Sequence, residues 1–102
     1  MTAATPAIAV VRNDDKSRYD ILVDGQVAGF SDYRMRDDHQ VYVHTEIAPE
    51  FRGRDLAATL VGAALDDART RGYRVIPRCP YVAEFIEDHP EYADLVGADT
   101  GS

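Results

Sequence analysis

The hydrophobic pattern of this chain changes period once, and that change constrains the fold more than any other feature. Val41-Tyr42-Val43-His44-Thr45-Glu46-Ile47 alternates as a strand does, which puts Val41, Val43, Thr45 and Ile47 on one face and Tyr42, His44 and Glu46 on the other. From residue 56 onward, Leu56, Ala57, Leu60, Val61, Ala64, Leu65 and Ala68 recur at helical spacing and form one apolar stripe. Arg69 and Arg71 suit the last turn of that helix, and Gly72 suits its C-terminal cap. Tyr73-Arg74-Val75-Ile76-Pro77 then reads as a short strand. Pro80 opens a second helix at its preferred first position, with Val82, Phe85 and Ile86 as its apolar face, and Pro90 ends it. A strand–helix–strand unit is parallel and right-handed almost without exception. The carboxyl ends of both strands and the start of the first helix therefore lie at one edge of the sheet, where ligands bind in such units. Glu46, residues 52–57 and Cys79 are predicted to converge there.

Upstream, Asp24-Gly25 is a two-residue hairpin signal, since a type I′ turn needs positive φ. It separates residues 19–23 from residues 26–35, Arg36-Asp37-Asp38 makes a second turn, and residues 7–11 add a possible first strand. The fold class expected is α+β. A mixed sheet begins as an antiparallel meander, continues into the β-α-β unit and ends in a C-terminal helix, with residues 91–96 as a further helical turn. At 102 residues there is material for one domain, read here as residues 8–96, with residues 1–7 and 97–102 as loose ends.

Bulk properties exclude several function classes. A net charge of −7 disfavours non-specific nucleic-acid binding. No apolar run is long enough for a membrane span, and the first residues lack the pattern of a secretion signal. Cys79 is the single cysteine, which excludes an internal disulfide and fits a reducing, cytoplasmic setting. No metal site is expected.

The stretch Glu50-Phe51-Arg52-Gly53-Arg54-Asp55-Leu56-Ala57 joins the alternating strand to the long helix. Small and basic residues at a helix start suit a phosphate, because free amides and the positive helix end point at it. Asp55 opposes this with a negative charge where a phosphate cradle favours glycine.

Five segments carry a family resemblance: Val27-Ala28-Gly29-Phe30, His44-Thr45-Glu46-Ile47, Arg52-Gly53-Arg54-Asp55-Leu56-Ala57, Arg78-Cys79-Pro80-Tyr81-Val82 and His89-Pro90-Glu91-Tyr92. Together, over roughly residues 18–96, they resemble the GNAT superfamily of acetyltransferases, and within it the small single-domain branch of YjdJ-like and NATD-like proteins. Against the superfamily's loop pattern Gln/Arg-x-x-Gly-x-Gly/Ala, Arg52 and Ala57 match the first and last positions and Asp55 stands at the internal glycine. The resemblance implies an N-acetyltransferase with acetyl-coenzyme A as cosubstrate and an unidentified amine, small or on a protein, as acceptor. It further implies that Thr45, Glu46, Ile47 and Ala48 line the pantetheine arm and the thioester carbonyl. Arg52, Gly53, Arg54, Asp55, Leu56 and Ala57 would take the pyrophosphate, and Cys79, Pro80, Tyr81 and Phe85 would lie along the coenzyme.

Acetyl transfer needs a polarised carbonyl, a deprotonated amine and a proton for the leaving thiolate. Glu46 is the candidate base, directly or through water, with His44 two residues away on the same face; each reads equally as an ordinary strand side chain. Cys79, ahead of a helix and beside Arg78, is a nucleophile, a proton donor, a wall of the thioester site or a packing residue. Tyr81 is the second proton-donor candidate or an aromatic packing residue. His89 and Tyr92 are expected to tie down the last turn, and Arg12, Arg18 and Arg34 to be surface charges. Typical superfamily members wall the acceptor side with helices between their first two strands. Asp24-Gly25 alone stands there in this chain, which implies an open groove, and the acidic surface mildly favours a cationic acceptor. The competing readings are a coenzyme A or acyl-coenzyme A binding module with little catalysis, and an interaction domain without cofactor.

Overall fold

The computed structural model describes residues 7–97. Five strands form one sheet in sequence order: β1 (Ile8–Asn13), β2 (Arg18–Val23), β3 (Gln26–Arg36), β4 (His39–Ile47) and β5 (Arg74–Pro77). The first four pair antiparallel, and β4 and β5 pair parallel. The tight connections are the expected ones: Asp24 and Gly25 have φ of 50° and 82°, and Asp37 has φ of 58°, in the left-handed region these turns demand. Helix α1 (Leu56–Arg71) is the crossover, closed by Gly72 in the left-handed conformation. Helix α2 (Pro80–Asp88) follows β5, and a 3-10 turn over Pro90–Leu95 completes the chain.

Both helices lie on one face of the sheet. Leu56, Leu60, Val61, Ala64, Leu65 and Ala68 of α1 are buried against Tyr19, Ile21, Val23, Tyr33 and Tyr42 of the sheet and against Val82, Phe85 and Ile86 of α2. Each large side chain buried there contributes roughly 1.5–3 kcal/mol. A polar chain crosses this apolar layer. Tyr42 donates to Gln40 Oε1 at 2.5 Å, Gln40 Nε2 donates to the Tyr19 hydroxyl at 3.0 Å, and Tyr19 donates to Asp67 of α1 at 2.7 Å. Gln40 is fully buried, so these bonds replace the water it gave up on folding.

The alternation expected of β4 fails at one residue. Asp32 pairs with His44 and Tyr33 with Tyr42, leaving Val43 as a bulge. An extra residue shifts the phase of everything after it. Tyr42 therefore shares the helix-covered face with Thr45 and Ile47, contrary to the sequence expectation, while Val43, His44 and Glu46 are exposed. Two cations expected at the surface are also packed. Arg12 lies over the rings of Tyr33 and Tyr73, and Arg18 lies over Phe30 with its Nε 2.8 Å from Asp20. Of the expected loose ends, Ala7 donates to Asp24 Oδ1 and Gly97 donates to the Val75 carbonyl, so both are held; residues 1–6 and 98–102 lie outside the described residues. His89 and Tyr92 have the expected structural roles: His89 stacks on Phe85 at 4.0 Å, and Tyr92 donates to Asp66 of α1 at 2.8 Å.

Two predictions follow from this packing. A Cβ on Gly29 would lie 2.5 Å from both the Glu46 carbonyl oxygen and Ile47 Cδ1, so Gly29→Ala must push β4 outward. The expected cost is about 1–3 kcal/mol, read as a lower urea midpoint. Tyr92 is raised from its ordinary value near 10 to about 12, by burial first and by its bond to Asp66 second. A phenol held protonated by the fold stabilises it fully below pH 10, and that stabilisation is lost as pH rises through 12. Tyr92→Phe should therefore cost roughly 1 kcal/mol near neutrality, and its deficit against the parent should shrink between pH 10 and 12 in unfolding titrations.

Candidate active site

Strands β4 and β5 part after Tyr42 and Pro77. Pro77 has no N–H to continue the ladder. Cys79 N then donates to the Tyr42 carbonyl at 2.8 Å, and the chain turns into α2 at Pro80. Strand β4 runs on to Ile47, so residues 43–47 have no strand partner on that side among the described residues. This unpaired edge is a place for another extended group to hydrogen-bond.

Thr45 and Cys79 face each other across the opening. The thiol is 3.6 Å from Thr45 Oγ1, which in turn is 2.9 Å from the hydroxyl of fully buried Ser31. Ser31 did not emerge from the sequence; a serine two residues beyond Gly29, in step with the inward positions of β3, is the signal that was there to be read. Cys79 is 4% exposed and belongs to the core cluster.

At the far end of β4 the chain reverses through a 3-10 turn at Pro49–Phe51 and reaches α1 through residues 52–55. Arg52 Nε donates to the Ile47 carbonyl at 3.2 Å, and the Arg54 guanidinium lies over the Phe51 ring. Gly53 and Asp55 have φ of 86° and 56°. Asp55 thus occupies a left-handed position, which favours glycine and which aspartate tolerates better than most residues. Its carboxylate does not cap α1. With no side-chain cap, the first-turn amides of α1 have no intrahelical acceptor and remain donors for an anion. Ile47, Phe51, Arg52, Gly53, Asp55, Leu56, Ala57 and Tyr81 line a cavity of about 330 Å³ at this helix start. Phe51 is a contributor that sequence reasoning missed, since an aromatic inside a loop carries no periodicity. Burial, and then the carboxylates of Asp55 and Glu84, hold the Tyr81 phenol above its ordinary range, so it is protonated at neutral pH and able to donate.

The other candidates are on the uncovered face. Glu46 and His44 are about half exposed, with His44 Nε2 3.2 Å from Glu46 Oε1. His44 contacts the Phe30 ring, and Glu46 and Ala48 border a small cavity of about 220 Å³ with residues 27–30 and Arg18. The expected convergence is thus real in part. Arg52, Gly53 and residues 55–57 meet Ile47 and Tyr81 while Arg54 lies over Phe51, Cys79 meets Thr45, and the His44–Glu46 pair stands on the opposite side of the same unpaired edge. Pro80 starts α2 beside Cys79. Phe85 is not among the cavity lining; it packs toward Gly62 and His89 instead. Among the described residues no group of three or more His, Cys, Asp or Glu side chains is placed to hold a metal ion, and no helix is long and apolar enough to cross a membrane.

The burial of Cys79 makes a prediction. Alkylation of the native protein by iodoacetamide should be more than about tenfold slower than in denaturant, because the thiol reacts only after a local opening; equal rates would contradict the packing of Cys79 beneath Thr45.

Comparison with known proteins is consistent with this architecture. The fold resembles the solution structure of a GCN5-like putative N-acetyltransferase from Staphylococcus aureus, with a TM-score of 0.67 at 18% identity over 88% of each chain. It also resembles a ribosomal-protein-alanine N-acetyltransferase from Brucella melitensis biovar Abortus 2308, with a TM-score of 0.55 at 19% identity over 79% of this chain and 61% of that one. At these identities the likeness is one of fold. The model of the family described as GCN5-related N-acetyl-transferase matches residues 18–95, a span that includes the opening between β4 and β5, the 52–57 turn and both helices. The chain belongs to the GCN5-related N-acetyltransferase family.

Proposed function

We propose that this protein transfers an acetyl group from acetyl-coenzyme A to an amine. The observation that carries the reading is the opening between β4 and β5, with the uncapped start of α1 at one end and Cys79 at the other. The first-turn amides of α1, with Arg52, Gly53 and Arg54, take the pyrophosphate. Asp55, Leu56 and Ala57 border it. The unpaired edge at Thr45, Glu46, Ile47 and Ala48 bonds the pantetheine arm as an added strand would and polarises the thioester carbonyl. Glu46 accepts the proton of the acceptor amine, directly or through water, with His44 as its hydrogen-bonded neighbour. Tyr81 or Cys79 returns a proton to the leaving thiolate. Cys79 and Pro80 wall the thioester. Direct transfer needs no acyl-enzyme, and the hydrogen bonding of the Cys79 thiol to Thr45 supports a wall or donor role over a nucleophilic one. The single cysteine supports a reducing, cytoplasmic setting.

One observation favours a second reading, a coenzyme A binding module with little turnover: the Asp55 carboxylate borders the cavity that would receive a pyrophosphate. Calorimetric titration with acetyl-coenzyme A, paired with turnover assays on a panel of amines, separates the two. Removing that charge in Asp55→Gly should tighten coenzyme binding by about fivefold, the scale of one charge pair near water. Glu46→Gln should lower turnover about 100-fold and leave coenzyme affinity unchanged. Coenzyme binding without turnover on any amine would favour the module, and no binding by either the parent or Asp55→Gly would remove both readings.

A further inference from the structure

On the sheet face away from the helices lies a groove of about 800 Å³, lined by Lys16, Arg34, Arg36, Arg78, Asp32 and the aliphatic side chains of Val41, Val43 and Met35, among others. It contradicts the bulk charge of the molecule. The chain carries a net −7, yet four of its eleven basic side chains border this one groove with a single carboxylate among them. A local field of this sign governs what is drawn in, whatever the total. Lys16 and Arg34 are exposed, and neither makes an ion pair among the described residues.

The position of the groove is as informative as its charge. Val43 is the bulged residue just past the last β4–β5 pair, Arg78 immediately precedes Cys79, and Asp32 pairs with His44. The groove therefore ends at the opening where transfer is proposed, on the face that carries His44 and Glu46. The coenzyme cavity begins at Ile47, roughly 13 Å further along β4 at strand rise, and the two share no lining residue.

We infer that the acceptor is the amine of an acidic peptide segment, bound extended in this groove with its carboxylates on Lys16 and Arg34. The inference rests on the acetyl-transfer reading above. Arg34 and Arg36 are two apart on β3, a spacing of about 6.8 Å that matches alternate side chains of an extended chain. Val43 and Met35, both exposed, offer an aliphatic floor to the side chains between. Nucleic acid fits less well: Tyr33, the aromatic in the lining, is 3% exposed and offers no face for bases to stack on. The cationic acceptor that the overall charge suggests is opposed by the local one.

The test uses fluorescence anisotropy with three labelled peptides of equal length, acidic, neutral and basic, each with a free N-terminal amine, and a single-stranded oligonucleotide. The acidic peptide should bind about tenfold or more tightly than the basic one, and the preference should fall as salt rises. Lys16→Glu and Arg34→Glu together, both at exposed positions, should abolish or invert it. Equal binding of the three peptides, preference for the basic one, tighter binding of the oligonucleotide, or a preference unmoved by the double variant would each overturn the inference. Displacement of the acidic peptide by millimolar free glutamate would replace the peptide with a small amino dicarboxylate and overturn it likewise. Acetylation of the same peptides is followed separately by mass spectrometry: acidic peptide bound in the groove yet never acetylated would sink the transfer reading and leave the groove standing.

Discussion

The separation of β4 from β5 is the constraint on which the rest of the molecule depends. It arises from covalent chemistry. Pro77 cannot donate a ladder bond, Pro80 can begin a helix but not continue a strand, and the two residues between them turn the chain inward. Cys79 N makes one last bond to the Tyr42 carbonyl, and from there β5 has become α2 while β4 continues for five residues. Backbone polar groups on that edge, apart from the Ile47 carbonyl that accepts from Arg52, retain their bonding capacity in a region otherwise bounded by a packed core. A sheet fully paired here would be more regular and would offer nothing to an extended ligand.

The bulge at Val43 acts at the same point for a different purpose. By shifting the phase of β4 it turns Thr45 and Ile47 toward the helices and leaves His44 and Glu46 on the bare face. The strand thus divides its candidate site side chains between two environments. The hydroxyls of Ser31 and Thr45 and the Cys79 thiol meet on the helix-covered side, away from water. The Glu46 carboxylate and the His44 imidazole meet in water. The acetyl transfer proposed above, which must hold a thioester away from water and accept a proton from an amine, would draw on both.

Anchoring of the helix layer explains why this geometry persists in so small a domain. Tyr42, Gln40, Tyr19 and Asp67 are linked across the core from β4 to α1, and Arg71 joins from the next turn at 2.9 Å. A buried amide satisfied on both its oxygen and its nitrogen fixes the height of α1 above the sheet more narrowly than apolar contact alone. The start of α1, with its unpaired amides, is held at the mouth of the opening as a consequence.

Much of this was legible in the residues themselves. The turn at Asp24-Gly25, the switch of period between β4 and α1, the glycine ending α1 and the prolines around α2 each act through local backbone chemistry, and each element appears where that chemistry puts it. The parallel crossover between β4 and β5 brought the 52–57 turn to the carboxyl-end edge of the sheet, where Cys79 also lies, for the same reason. What the residues did not reveal was the phase of β4, because a bulge answers the register demanded by the neighbouring strand and leaves no mark in its own alternation. The packing of Arg12 and Arg18 on aromatic rings, the hydroxyl of Ser31 behind Thr45, the loss of Phe85 to the helix interface and the gathering of four cations on one face of an acidic chain are likewise products of long-range approach. Local sequence determined which elements form and in what order, through dihedral preference and hydrophobic period; tertiary packing alone decided which face each functional side chain occupies, since that depends on residues far away in the chain.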